Sequence, residues 1–540
     1  MQHRILTRQL NTTATASDIY AALCMQNSGT NHNEAKTHTA LFETAAVGQL
    51  HHVKSLLMLS AAVCIECVDK KVYFRALTEN GVHFLNSLKP LFRLPVDIID
   101  TTEGFYIECE TANTPSKLDE ETRLRAFNIF EPLRQTQQLI RSGNPEHDAV
   151  TFLFGYFAYD IIDQFEQLPE ANNDNKPIPD YVYYLADKLI IRDEQKNTAE
   201  LFTLAFDANA NNLDLNTELN HLVDTIEALK THTMANLPSV ELNGHTTDFI
   251  ESCALSNAED FKNDIEVIRE HIKAGDVFQA VLSRQFSVPC QHPFLAYQVL
   301  KQHNPSPYMF YLQGDETTLF GSSPESAVKF TAANREVTIY PIAGTHRRGT
   351  NADGTINTDL DSRIEVSLLQ NQKEIAEHMM LVDLARNDIA RVCKPGTRQI
   401  RELLQIVRYA HVMHIVSEVI GELDDQLDAL HAYQACHNMG TLVGAPKIKA
   451  TEILRGLEPH YRGAYGGAVG YLNAAGDMDT AIIIRSAMVQ NQQAIIQAGA
   501  GIVLDSDPDS EALETCNKAA AVIKACMTVE NHLSKIGAAS

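Results

Sequence analysis

Two stretches near the carboxyl end each place glutamates one helical turn apart: KEIAEHMMLVDLARND (373–388) and GAGIVLDSDPDSEALETCNKA (499–519). In the first, Glu374 and Glu377 stand at i and i+3 of a predicted helix whose apolar stripe is Ile375, Met379, Val382 and Ile389. In the second, Asp507 is placed to cap a helix that begins with Pro508, so Glu511, Glu514 and Lys518 share one face and Ala512, Cys516 and Ile523 another. Carboxylates brought together from two helices suit a hard cation: Mg²⁺ takes one or two of them and fills its octahedron with water and an anionic substrate. Either stretch alone is an ordinary solvated acidic face in a chain with 69 acidic residues, so the residues around them must decide.

Those residues include a series of glycine-bearing segments, read as strands and turns: PIAGTHRRG (341–349), GTLVGAPK (440–447), AYGGAVGY (464–471), AIIIRSAMV (481–489) and AGAGIVL (498–504). Glycine after a short apolar strand lets backbone N–H groups approach an anion closely, and an arginine such as Arg485, at the end of the strand AIIIR, adds a bidentate carboxylate partner. GxxxxGK[ST] is absent and no G-x-G-x-x-G opens a βαβ unit, which disfavours nucleotides. His414 shares a strand face with Val412 and Val416, and on those neighbours alone it reads as a core histidine. His411 and His414 lie on one strand at a spacing that sends them to opposite faces, as do Cys64 and Cys67, so neither pair forms a metal or redox site.

The elements that must position these groups belong to a 540-residue chain with 44% apolar residues, enough for a large core and more than one domain. Residues 1–206 form a β-rich amino-terminal part. Residues 207–248 read as a connector with one helix whose face carries Leu215, Leu219, Leu222, Ile226 and Leu229. In residues 249–533 strands and helices follow each other with short links, and the fold class is α+β. A net charge of −25 argues against nucleic acid or an anionic membrane as a partner. There is no charged-then-apolar leader and no apolar stretch of bilayer length, so a cytoplasmic protein is expected. The ten cysteines form no paired framework, and the chain contains no tryptophan.

Taken in order, LVDLARND, SPES, NPSPYMF and GAGIVLDS with its ExxNK resemble the Mg²⁺-dependent chorismate-utilising enzymes, and among them the large subunits of anthranilate synthases, over nearly the whole chain. The resemblance implies two-layer antiparallel β-sheets with outer helices plus a β-rich amino-terminal regulatory part. It implies conversion of chorismate and ammonia to anthranilate and pyruvate, the first committed step of tryptophan biosynthesis. It carries Glu377 and Glu514 over as Mg²⁺ ligands, with Glu374 and Glu511 as supporting carboxylates. Substrate contacts fall on Gly344, Thr345, Tyr465, Arg485, Gly499, Ala500, Gly501 and Lys518. Glu325 becomes the proton donor to the departing hydroxyl, and His414 the group that removes the C2 proton or orients the ring. ALFETA, Lys54 and NPSPYMF match the segments that bind feedback L-tryptophan, giving Glu43, Thr44, Lys54, Pro307, Tyr308 and Met309.

Two positions separate the chain from relatives of other chemistry. Aminodeoxychorismate synthases carry a nucleophilic lysine where this chain has Ala343, and isochorismate synthases a lysine base where it has Gln279; neither residue here can do that work. The chain lacks the G-x-C-x-G turn of a glutaminase, so ammonia is expected from a partner glutamine amidotransferase subunit, in a heterotetramer. The alternatives are aminodeoxychorismate synthase, disfavoured by Ala343, and an inactive tryptophan-binding regulatory protein.

Overall fold

The computed structural model describes all residues except 1–2, 28–32, 45–53, 93–96, 110–118, 170–175, 207–213, 230–246, 352, 354, 410–411 and 540. His411 therefore lies outside the described residues. Near-continuous apolar runs, of Leu, Met, Ala and Val in Lys54–Val68 and of Tyr, Val, Leu and Ile in Tyr181–Asp193, form the longest strands, which pair antiparallel and bury both faces. Cys64 and Cys67 sit on the first of these, and all ten cysteines are unpaired thiols.

From this central pair two arms of one 22-stranded hydrogen-bonded network extend. The first arm runs through Thr39–Glu43, Tyr308–Gln313, Thr317–Ser323, Ser486–Gln490, Gln493–Ile502 and Gln279–Pro289, each antiparallel to the next. The second runs through Phe152–Phe157, Ala468–Asn473, Met478–Ile482, Ser326–Thr331, Glu336–Ile339 and Val412–Glu422, again antiparallel throughout. The strands Ile342–Arg347 and Gln399–Arg408 both pair with this last strand. The arms share a core: Phe42 of the first meets Phe154 of the second edge to face at 5.4 Å, and Phe310 and Leu319 join Val328 and Phe330 in one apolar cluster. The fold is thus α+β, built on antiparallel sheet with helices outside.

The helix Pro508–Ala539 begins at its proline, and Asp507 accepts from the Ser510 backbone N–H at 2.9 Å. Ala512, Cys516 and Ile523 are buried against the sheet strand Gln493–Ile502, as their spacing predicts. Leu215–Leu229 is likewise a helix with Leu215, Leu219, Leu222, Val223 and Ile226 buried, and its face joins the core beside Tyr20 and Ile190. The helix Gln372–Ala390 departs from the expected stripe. Its buried residues are His378, Leu381, Val382, Ala385, Asp388 and Ile389, whereas Ile375 and Met379 are half-buried. The apolar pattern missed His378 and Asp388 because each is polar yet partnered inside, His378 with Ser417 at 2.7 Å and Asp388 with Lys447 at 2.6 Å.

Candidate active site

Two short loops carry the chain between the arms. Thr317–Ser323 of the first arm leads through Pro324 and Glu325 into Ser326–Thr331 of the second; Met478–Ile482 of the second leads through Ile483 to Arg485 into Ser486–Gln490 of the first. The crossings are tied to each other. The Ile482 N–H donates to the Glu325 carbonyl at 3.0 Å, and the Ser322 N–H to the Arg485 carbonyl at 3.1 Å. Arg485 is therefore not the last residue of a strand, as its sequence suggests. The strand ends at Ile482 because the chain must leave its partner Ala468–Asn473 to reach Thr317–Ser323, and Arg485 makes the turn with φ 50°.

Glu325 is buried at its crossing, where Thr441 Oγ1 donates to its Oε1 at 3.0 Å. Burial pushes its carboxyl up to about 8, against the opposing pull of Thr441, Arg485 and Lys518. GTLVGAPK, read as strand and turn, is instead a helical turn at Gly440–Val443, which aims Thr441 at Glu325.

His414 sits on the strand Val412–Glu422 opposite Thr345, and Thr345 Oγ1 lies 2.9 Å from His414 Nδ1. That pairing depends on Gly344: the register shifts between Ala343 and Thr345, and Gly344 takes φ 68° at the irregularity. A methyl there would stand 3.0 Å from Ile415 and 3.2 Å from Glu374 Oε2. Burial, then the charge of Arg485, pushes the His414 imidazole down to about 4. Its strand neighbours Val412 and Val416 are half-buried while Met413 and Ile415 are buried, so His414 lies on the less packed face. Tyr409 meets its ring edge to face at 5.2 Å.

On the first arm, Lys518 Nζ donates to the Gly499 carbonyl at 2.8 Å and stands 2.5 Å from Glu514. A methyl on Gly499 would lie 2.9 Å from both the Tyr465 hydroxyl and the Leu282 carbonyl, and one on Gly501 2.5 Å from Gln279 Nε2. Ala500, between them, turns its methyl into the core with Leu282 and Ile502. Gln279 Nε2 in turn donates to Glu377 Oε1 at 3.0 Å. Burial raises the Glu374 carboxyl, with Glu377 and Glu514 adding to the effect; Glu511 is raised by burial and by Glu514. Glu514 thus acts on carboxylates of both helices. Among the described residues no three His, Cys, Asp or Glu side chains close into a metal cage.

The segments assigned to tryptophan also meet, since Met309 pairs with Glu43 across adjacent strands. Glu43 is buried and accepts from Ser17 at 2.9 Å, Tyr297 at 2.5 Å and Lys301 at 2.6 Å. Met309 is buried in the core, Thr44 and Pro307 are half-buried, and Lys54 is exposed. Tyr308 donates to Asp479 at 3.3 Å.

The family model of chorismate binding enzymes matches residues 91–524. The chain belongs to the chorismate-binding enzyme family. It is 45% identical to anthranilate synthase component 1 of Vibrio cholerae over 527 residues, covering 97% of this chain and 96% of that relative. It is 43% identical to anthranilate synthase component 1 of Escherichia coli K12 over 498 residues, 91% and 92% of the two chains. Among solved structures, anthranilate synthase component I from Streptococcus pneumoniae superposes with a TM-score of 0.63 at 27% identity, over 89% of this chain and 94% of that one. The menaquinone-specific isochorismate synthase of Escherichia coli shares the fold, with a TM-score of 0.62 at 16% identity over 97% and 95% of the two chains.

Within this family member, Thr441, Tyr409 and Gln279 carry contacts that motif reading passes over. Thr441 lay inside a segment singled out for its glycines, and Tyr409 has no sequence signal, because its role depends on strand pairing. Ser17, Tyr297 and Lys301 come from two helices and meet at Glu43 only in the folded chain.

Proposed function

We propose that this enzyme is the chorismate-converting component of an anthranilate synthase, adding ammonia at C2 of chorismate, expelling the C4 hydroxyl and then eliminating pyruvate to give anthranilate. The observation that carries the reading is the opposed protonation of two buried groups that share Arg485 as a neighbour. Glu325 holds its proton up to about 8, and His414 stays neutral down to about 4.

At neutral pH Glu325 is an acid able to give its proton to the departing hydroxyl oxygen, with Thr441 fixing the carboxyl. His414 is an uncharged imidazole. When Nδ1–H donates to Thr345 Oγ1, the lone pair is left on Nε2 to take the C2 proton in the elimination. The substrate is a dicarboxylate. Arg485, whose guanidinium forms no hydrogen bond or ion pair among the described residues, and the Tyr465 hydroxyl beside Gly499 are the groups for one carboxylate. Gly344, Thr345 and Gly501 line the cleft without crowding it.

The donor set fits Mg²⁺, which needs only one or two protein carboxylates. Glu377 and Glu514 would hold it, with Glu374 and Glu511 receiving its bound water, and the ion when bound would neutralise the other substrate carboxylate. Gln279, hydrogen-bonded to Glu377, is an amide and activates no water; Ala343 offers no nucleophile. Ammonia is then the attacking group. It is delivered by a glutamine amidotransferase subunit in a heterotetramer, since the chain has no glutaminase cysteine turn.

L-Tryptophan binding across Thr44, Lys54 and the 307–309 segment, with Glu43 as its anionic centre, is the regulatory part of the reading. The pairing of Met309 with Glu43 supports it. No described helix is long and apolar enough to cross a membrane.

The test is direct. The purified chain with chorismate, Mg²⁺ and ammonium at alkaline pH is expected to form anthranilate, and to use glutamine only after an amidotransferase subunit is added. Aminodeoxychorismate as the product would overturn the reaction, and glutamine-dependent product from the single chain would overturn the partner.

A further inference from the structure

We infer that Arg462 is a positioning residue for the proton transfer to the departing hydroxyl: by holding the Leu442 carbonyl it fixes the short turn that aims Thr441 at Glu325. The inference rests on the reading of Glu325 as the proton donor. Thr441 donates to Glu325 Oε1 at 3.0 Å, which leaves Oε2 to carry the proton. Whatever sets the place of Thr441 therefore sets the direction in which that proton is offered.

Arg462 is 4% exposed, and its hydrogen bonds run to three separate segments. Nε and Nη2 donate to the two oxygens of Glu458 at 2.7 and 2.6 Å, Nη2 also to the Val281 carbonyl at 2.7 Å, and Nη1 to the Leu442 carbonyl at 2.6 Å. The guanidinium also lies over the rings of Tyr159 and Tyr465, 4.6 and 5.8 Å from their centroids. Glu458 is itself held, because its Oε1 accepts from the Ser283 N–H at 2.9 Å and the Ser283 hydroxyl at 2.6 Å. Val281 pairs with Gly501 and Ser283 with Gly499. The guanidinium is thus tied to the strand that backs the glycines of the cleft.

The turn Gly440–Val443 needs this tie. Four residues are too few to satisfy the polar groups at both ends of a helix from within. The pairing of Gly444 with Ala280 secures the far end, and Arg462 secures the Leu442 carbonyl, one residue from Thr441. Leu442 is 5% exposed, so removal of the donor would leave its carbonyl unsatisfied away from water, and the turn would shift to relieve it. Packing alone does not call for an arginine here. Apolar residues of similar volume often match a buried ion pair in stability, whereas a planar fork donates in fixed directions that a lysine ammonium cannot reproduce.

The experiment uses the full chain with chorismate, Mg²⁺ and ammonium. Arg462→Lys keeps a cation beside Glu458 and the Tyr465 ring but loses the fork. Its kcat is expected to fall about five- to tenfold, the worth of one hydrogen bond, with the KM for chorismate little changed. Thr441→Val is expected to show the same loss, and the double variant no more than either single one, because both changes break one relay. Arg462→Met/Glu458→Gln leaves no unpaired buried charge and keeps an acceptor for Ser283; it is expected to fold by circular dichroism and to show the same fall in kcat, which covers poor folding of Arg462→Lys. Crystals of either Arg462 variant are expected to show Thr441 withdrawn beyond hydrogen-bond distance of Glu325. Wild-type kcat in a folded Arg462 variant, losses that multiply with Thr441→Val, or an unchanged distance from Thr441 to Glu325 would each overturn the inference while leaving Glu325 as the acid. Wild-type kcat in Glu325→Gln would overturn the acid itself, and this inference with it.

Discussion

Glu325 and Arg485 occupy the two loops that cross between the arms of the sheet, and in the strand leading into each loop Ser322 donates its backbone N–H to the Arg485 carbonyl and Ile482 its own to the Glu325 carbonyl. A displacement of either loop would therefore move both the proposed proton donor and the cation proposed to bind substrate. Because the loops are short and embedded in strands that pair on both sides, their spacing is set by the sheet and not by the loops.

Replacing Glu325 with Gln removes the transferable proton and is expected to lower kcat by about 10²–10⁴-fold, the range of general acid catalysis. It also alters the pH dependence of stability. A native Glu325 keeps its proton up to about 8, whereas an exposed glutamate loses it near 4.5. Between those values the native state binds the extra proton, so this residue makes stability fall as pH rises through the window, with the full penalty present above about 8. Thermal midpoints measured from pH 5 to 9 should fall less steeply for Glu325→Gln than for wild type. Parallel curves would contradict the buried, protonated carboxyl.

Thr345→Val keeps the shape of the strand and removes the hydroxyl that orients His414. A lost hydrogen bond of this kind is worth about 1 kcal/mol, so turnover is expected to fall roughly five- to tenfold. If Thr345 acts on His414 and not on substrate, the loss should appear in kcat with the KM for chorismate little changed. A change confined to KM would assign the hydroxyl to substrate binding instead.

Glu514→Gln removes a carboxylate whose side chain is 47% exposed, so the fold should tolerate it while Mg²⁺-dependent turnover falls by orders of magnitude. Circular dichroism checks the fold, and a Mg²⁺ titration of activity checks the ligand role. Chelation of Mg²⁺ should abolish wild-type activity, and its restoration should be reversible. Wild-type turnover by Glu514→Gln at low Mg²⁺ would place the ion elsewhere.

The absence of tryptophan from the chain makes feedback visible, because added L-tryptophan is the only strong fluorophore at the red edge of its band. Its emission should change on binding and revert as chorismate is added, each ligand weakening the other by the same factor. Thr44→Ala is expected to relieve inhibition without reducing uninhibited turnover, since Thr44 touches neither the carboxylate cluster nor the crossings. Met309 is a poorer probe. It is 1% exposed, so Met309→Thr would alter the core as well as the site.

Much of this molecule could be read from the chain itself where the signal is local. The cap at Asp507, the helical face of Ala512, Cys516 and Ile523, the strand Tyr181–Asp193 and the spacing of Glu374 and Glu377 all follow from periodicity and end chemistry within a few residues. Glu325, His414 and Arg485 are singled out in the sequence through the resemblance of their motifs. Their states are not legible there. The carboxyl of Glu325 and the imidazole of His414 are shifted in opposite directions by burial, which arises only when two arms built from residues hundreds of positions apart close around them. The partners were equally hidden: Thr441 on Glu325, Thr345 across from His414, Gln279 on Glu377, and Ser17, Tyr297 and Lys301 on Glu43. Each is a contact between distant segments whose register and crossing loops are fixed by the whole sheet, and a polar residue's partner across such a distance leaves no trace in local sequence pattern.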